Sequence, residues 1–199
     1  MKILIDINHP AQIHFFKNFI IELKQKKHDV LIITNDKDVT IDLLSDINCK
    51  YITMGKPGTN IFDKIIRLIY QIIFMVILVL NYNPNLCLGF GSIRLSIVSF
   101  ITQKKCILYD DDEYSFKYYR YFSQHVFVFS GFKYENNKIC KINCDKEFAY
   151  LHRSVFKPLP ISKLNLPRKH DKLVIFRFVS WTAFHDINQN GISINGSTS

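Results

Sequence analysis

What is scarce in this chain excludes more than what is abundant. Its 199 residues include seven glycines, six prolines and one tryptophan, so it is no repetitive or low-complexity polymer. Charged residues make up 22% against 48% hydrophobic, which excludes global disorder and predicts a sizeable core. The five cysteines, Cys49, Cys87, Cys106, Cys140 and Cys144, are odd in number and scattered, which is not a disulfide framework. Cys140 and Cys144 have a loose metal-like spacing, yet no second pair or nearby histidine completes a zinc set, so no metal is expected. A strand-like run follows Lys2 at once, where a signal peptide would have another pattern. A reduced, cytoplasmic setting is therefore expected.

Long apolar runs are also short of what a membrane span requires. Leu68 to Leu80 is charge-free but covers thirteen residues, broken by Gln71 and flanked by Arg67 and Asn81, whereas a spanning helix needs about 20. The first reading of this stretch is a buried helix. Lys64 and Arg67 stand beside it and Phe74 and Met75 lie within it, so peripheral docking on a membrane surface is the second reading. Acidic residues are scarce as well: 17 against 26 basic ones give a formal charge of +9. That balance favours anionic partners, among them phosphorylated metabolites, or else describes a basic solvated surface.

What is present is an alternation of strand and helix signals. Lys2 to Ile7 is a short apolar run, after which Ile13, Phe16, Phe19, Ile20 and Leu23 recur at three- and four-residue spacing, a switch from strand to helix period. Val30 to Thr34 predicts a second strand, residues 38–47 a helix, and Lys50 to Thr53 a third strand. A loop at residues 56–60 leads to a long apolar helix over Ile61 to Asn81, ended by Pro84. Leu86 to Leu88, Cys106 to Tyr109 and Val126 to Phe129 read as further strands, with helices after Ser92 and over Phe116 to Phe122. This order predicts an α/β fold: a Rossmann-like, mostly parallel sheet with helices on both faces. The aromatic stretch from Tyr109 to Phe129, set among basic residues, reads as core rather than a nucleic-acid stacking platform, and no nucleic-acid partner is expected.

From about Arg153 the composition shifts, with Pro158, Pro160 and Pro167 close together. The predicted organisation is a Rossmann-like domain over 1–156, a linker over 157–171, and the beginning of a second Rossmann-like domain over 172–199, opened by the strand-like Leu173 to Val179. That last piece is too short to build a core of its own.

In an open α/β sheet, ligands bind outside the carboxyl ends of the strands. The loop after the first strand offers Asp6, Asn8, His9 and His14 there. After the fourth strand, Gly89 and Gly91 allow a sharp turn and a close backbone approach, and Ser92 can cap the next helix. The pair lacks the third glycine of a dinucleotide fingerprint. Asp110, Asp111 and Asp112 follow the fifth strand, where they either bind sugar hydroxyls or a cation, or simply cap a helix.

Several of these stretches together carry a family likeness. Asp6-Ile-Asn-His-Pro-Ala-Gln-Ile-His-Phe-Phe-Lys-Asn18, Leu88-Gly-Phe-Gly-Ser92, the acidic turn at Asp110-Asp111, Glu147-Phe-Ala-Tyr-Leu-His152, and Arg177-Phe-Val-Ser-Trp-Thr-Ala183 with His185-Asp186 resemble the family known as domain of unknown function 354. Asn8 stands where that family commonly has a small residue, and Asp112 where it has a hydroxyl residue. The family is similar to two-domain glycosyltransferases of the B fold and to non-hydrolysing UDP-N-acetylglucosamine 2-epimerases.

The resemblance implies an acceptor-side N-terminal half and a C-terminal half that binds most of a nucleotide-sugar donor, with no cofactor and no metal. Because the second half stops soon after it starts, the chain is expected to be an acceptor half cut short and inactive alone. It also implies partners: a nucleotide sugar and a sugar or lipid-linked acceptor.

Transfer to a hydroxyl needs a base, and histidine titrates near neutral pH. By resemblance His14 is the candidate base, with His9 or a mere helix-packing role as the alternatives. Asp6 would orient a histidine or a sugar hydroxyl, or else satisfy the loop's backbone. Arg177 and His185 would face the cleft from the second half and stabilise phosphate. An epimerase-like isomerase and a non-catalytic binding module are the other readings.

Overall fold

The computed structural model describes residues 1–36, 39–55 and 61–160, with residues 163 and 174. The chain divides into two units, Met1–Phe156 and Lys157–Ser199. Apart from residue 174, the expected strand at Leu173 to Val179 falls outside the described residues, as do Arg177 and His185.

The first unit starts with β1 (Lys2–Ile7), α1 (Pro10–Gln25), β2 (Asp29–Thr34), α2 (Thr40–Ser45), β3 (Lys50–Thr53) and α3 (Ile61–Tyr82). It continues with β4 (Leu86–Phe90), α4 (Ile93–Thr102), β5 (Cys106–Asp110), α5 (Glu113–Tyr119), β6 (His125–Val128), β7 (Ile139–Lys141) and α6 (Phe148–Leu151). The strands form one parallel sheet in the order β3-β2-β1-β4-β5-β6-β7. From β1 the chain winds outward to β3, then crosses back to β4 on the other side of β1. That reversal opens a crevice at the carboxyl ends of β1 and β4, because the loops there leave toward opposite faces.

The fold class is thus Rossmann-like α/β, and the strand cores form for the expected reason. Ile3, Leu4, Ile5 and Ile7 are all buried, as a strand covered on both faces requires. Ile13, Phe16, Ile20 and Leu23 of α1 lie on one stripe and pack with Ile3, Ile5, Ile32 and Leu88 on one side of the sheet. On the other side Met75 and Val79 of α3, Leu95 and Val98 of α4, and Phe116 and Tyr119 of α5 close over Leu4, Ile33 and Leu108.

Three expectations change and two elements are added. The helix α5 begins at Glu113 rather than Phe116, because the Asp112 side chain accepts a hydrogen bond from the Tyr114 amide at 2.8 Å and caps it. Two elements, β7 and α6, had no expectation, since neither has a residue buried enough to give a pattern. The acidic turn is drawn partly into the sheet, so that Asp110 closes β5.

The largest correction concerns α3, which is not a buried helix. It is 22 residues long, and counting only its charge-free part understated it: Phe62–Tyr82 is long and apolar enough to cross a membrane by length and composition. A single stripe faces the sheet, where Gln71, Met75 and Val79 are buried, while Phe62, Ile66, Ile73 and Leu80 are more than half exposed. The helices α4 and α5 cover the rest of that sheet face, and α3 buries only one of its sides.

Candidate functional site

The crevice is lined by loops whose polar groups are bound to one another. Asp6, next to last in β1, is fully buried and meets the equally buried Arg94 of α4. The Arg94 Nε donates to Asp6 Oδ2 and Oδ1 at 3.0 and 3.1 Å, and its Nη2 donates to Oδ1 as well. The Ser92 hydroxyl donates to Asp6 Oδ2 at 2.5 Å and accepts from the Leu95 amide at 3.1 Å, capping α4. Arg94 Nη1 completes the network by donating to Asn35 Oδ1 at 2.7 Å and Gln71 Oε1 at 2.9 Å. Elements far apart in sequence, β1, the loop after β2, α3 and α4, are thereby fastened around one guanidinium, whose planar fork suits a carboxylate on one side and amide oxygens on the other.

A second tie crosses the crevice itself. The Asn8 amide donates to Gln12 Oε1 at 2.7 Å, and Gln12 Nε2 donates to the Phe90 carbonyl at 3.2 Å. Asn8 also donates through Nδ2 to Asp6 Oδ2 at 3.4 Å. His9 is the N-cap of α1: its Nδ1 accepts from the Ala11 amide at 3.2 Å, with Pro10 at the first helical position. His14 lies a turn further on, exposed, with its ring 6.0 Å from that of Tyr150. It makes no hydrogen bond among the described residues.

The two glycines have different tasks. A side chain on Gly89 would meet Leu95 Cδ2 at 2.9 Å and Leu108 Cδ2 at 3.2 Å, so this glycine lets α4 close on the sheet and faces packed leucines rather than open space. Gly91 has φ of +53°, the left-handed region that glycine reaches most easily.

Asp110 is buried and accepts four hydrogen bonds. Its Oδ1 takes the Asp111 and Asp112 amides at 2.9 and 3.0 Å, and Oδ2 takes the Ser115 hydroxyl at 3.0 Å and the Tyr119 hydroxyl. Burial pushes its carboxyl up to about 6, against the opposing pull of the Tyr119 bond and the other donors. The Tyr119 hydroxyl is raised by burial and by the adjacent carboxylate. Asp111, by contrast, is partly exposed and forms an ion pair with Lys146. Among the described residues no group of three or more His, Cys, Asp or Glu could hold a metal ion.

Of the residues singled out in sequence, Asp6, Asn8, His9, Gly91 and Ser92 therefore come together at the carboxyl ends of β1 and β4. Asp110 and Asp111 stand at the end of β5, and His14 lies on the exposed side of α1. Four residues were missed: Arg94, Gln12, Asn35 and Gln71. A signal for two of them existed. Arg94 is the one charged residue of an apolar helix, and Gln71 is the one polar residue between Leu68 and Leu80; such a residue is retained when it has a partner.

A doubly wound parallel sheet with its crevice between β1 and β4 defines the class, a Rossmann-like domain. The chain belongs to the family described as protein of unknown function DUF354, which matches residues 1–121. No curated protein matches its sequence.

Among solved structures it is similar to MurG from Acinetobacter baumannii, at a TM-score of 0.59 and 10% identity over 71% of this chain and 45% of that one. UDP-GlcNAc 2-epimerase from Methanocaldococcus jannaschii gives 0.57 and 15% over 75% and 47%. The epimerase from Neisseria meningitidis, bound to UDP-GlcNAc, gives 0.53 and 15% over 64% and 40%. At these identities the likeness is one of fold. The chain spans less than half the length of each of these three.

Proposed function

We propose that this chain forms the acceptor-side half of a protein acting on nucleotide sugars, a glycosyltransferase of the B fold, with the sugar-bearing acceptor entering the crevice between β1 and β4. What carries the reading is the crevice wall: Asn8, His9, Gly91 and Ser92 are held at the strand ends by the Asp6–Arg94 pair and the Gln12 tie, with a solvent-accessible histidine on the adjoining helix. A prearranged wall of this kind supports orientation of an acceptor hydroxyl. In this reading His14 takes the hydroxyl proton as the acceptor oxygen attacks the anomeric carbon, and the nucleoside diphosphate leaves with the bonding electrons.

Asp6 acts through position, since both its oxygens are engaged. Asp111, at the crevice end of β5, is available to sugar hydroxyls when Lys146 swings away. Donor contacts come from a second Rossmann-like half, with Arg177 and His185 assigned to its cleft face. Residues 1–156 supply acceptor contacts only and are expected to transfer no sugar by themselves. The setting is cytoplasmic, at a membrane when the acceptor is lipid-linked.

The epimerase reading has less behind it. Proton exchange at a sugar carbon needs free acid and base groups, while Asp6 and Asp110 are consumed by internal partners.

The test is turnover by a longer family member that carries the matching histidine. His14→Ala is expected to lower kcat by about 100- to 10,000-fold, the usual contribution of a general base, with binding of the nucleotide sugar retained. Unchanged turnover removes His14 as the base, and an epimerised nucleotide sugar as the product replaces the transferase reading with the isomerase one.

A further inference from the structure

The outward side of α3 is apolar along its whole length and no described residue covers it. Phe62, Ile66, Ile69, Ile73, Ile77 and Leu80 are each more than half exposed. These positions lie opposite Gln71, Met75 and Val79, so the helix has two apolar sides and only one of them faces the core. A soluble surface normally keeps such patches small, and a continuous one marks an interaction site. The patch extends over the same face of the sheet: α4 packs beside α3 and α5 beside α4. Phe100 and Ile101 of α4 are exposed, as are Tyr114 and Tyr118 of α5 and Tyr121 just after it. Lys117 lies over the Tyr114 ring at 3.7 Å, and Arg120 over the Tyr121 ring at 4.7 Å.

Three observations select the occupant. First, the border of the patch is mostly cationic: Lys64 and Arg67 on α3, Lys104 and Lys105 after α4 and Lys117 on α5 outnumber Asp63 of α3 and Glu113 of α5. The α3 helix itself carries a single acid, Asp63, paired with Arg67. A second copy of this chain seated face to face would set net positive border against net positive border, whereas an anionic surface complements that excess of cations. Second, exposed tyrosines interleaved with lysine and arginine suit the headgroup zone, where each ring is half apolar and half wet. Third, α3 cannot leave the fold to span a bilayer, because Gln71 is bonded to Arg94 and Asn35, and Met75 and Val79 are fully buried.

We infer that the outer face of α3, with the tyrosine- and lysine-bearing side of α5, docks in the plane of an anionic phospholipid membrane, sinking the isoleucine stripe to the level of the acyl chains. Phe74 and Met75 take no part, since they turn toward the protein. The amino end of α3 stands at the carboxyl edge of the sheet, so docking brings the crevice to the bilayer surface, where a lipid-borne substrate would be met. The inference stands on α3 and α5 and does not depend on what the crevice binds.

The test is flotation of the full chain with vesicles of phosphatidylcholine alone and of phosphatidylcholine with phosphatidylglycerol, two parts to one. The protein is expected to float with the mixed vesicles, less with the neutral ones, and less again as salt is raised. Ile66→Glu with Ile73→Glu is expected to weaken binding by at least about tenfold. Both positions are exposed, so the urea unfolding midpoint should hold.

Lys105→Glu with Lys117→Glu is expected to lower binding to the mixed vesicles and leave the neutral ones unaffected. No flotation by the wild type overturns the inference, as does binding that the isoleucine changes leave intact. A wild-type dimer that those changes convert to monomer, without vesicle binding, replaces the membrane with a second copy. Binding that ignores the lysine changes and salt removes the anionic lipid from it.

Discussion

Asp6 and Asp110 stand at the same edge of the same sheet, both fully buried, and the protein accommodates them by different means. Asp6 faces a guanidinium that forks onto its carboxylate. Asp110 has no bonded cation among the described residues and depends on two amides and two hydroxyls. A fixed opposite charge and a set of dipoles both offset desolvation, but they respond differently to damage and to protons. The ion pair is vulnerable to loss of one partner, and the dipole set leaves the carboxyl open to protonation near neutral pH.

The largest effect expected from breaking this contrast is that of Arg94→Leu. It strands Asp6 without a cation and removes the donor to Asn35 and Gln71, and should destabilise the domain by about 3–5 kcal/mol in urea unfolding. A loss under about 1 kcal/mol would mean that water reaches Asp6 and that the network is less closed than its hydrogen bonds imply.

Next comes the pH dependence assigned to Asp110. Its carboxyl sits at about 6 in the folded chain against 3.8 for the ordinary group, so the folded state holds this proton more tightly than the unfolded one. Its contribution is therefore full below about pH 4, declines as pH rises toward about 6, and is constant above that. Asp110→Asn should abolish this decline, a span of about 3 kcal/mol, read as the difference between the two proteins' stabilities across that range. A flat difference would mean that the four donors cancel the effect of burial.

Tyr119→Phe removes one of those four donors. It should cost about 1.5–3 kcal/mol, as expected for a hydrogen bond to a charged acceptor, and push the midpoint of the Asp110 titration higher. A midpoint that stays put would show that Tyr119 contributes packing alone.

The smallest effect is that of His14→Ala. An exposed side chain without a hydrogen bond to a described residue should change stability by no more than about 0.5 kcal/mol. A larger loss would show that the contact with Tyr150 fastens α6 to α1, which would favour the helix-packing reading of His14.

Residues reveal themselves in sequence when their surroundings are local. The strands β1, β2, β4 and β5 are apolar runs and α1 a regular stripe, because each meets the core along its own length. Elements without a buried face leave no such trace, and β7 and α6 went unseen for that reason. At the crevice, Gly91 and Ser92 were visible through turn and cap chemistry, which reaches across two or three positions, and Asn8 and His9 through their place in the loop that follows a strand. Arg94 was not, since its carboxylate partner lies 88 residues earlier in the chain, and only folding brings the two together. Gln71 was seen and misread: it looked like a flaw in an apolar helix and is in fact the point where that helix is bonded to the crevice.

The Gln12 tie has a mechanical consequence. One side chain, accepting from the Asn8 amide and donating to the Phe90 carbonyl, makes the two rims of the crevice a single stiff jaw. A hinge cannot lie between the two rims without breaking both bonds, so the loop after β1 and the end of β4 move as one piece for as long as Gln12 holds them.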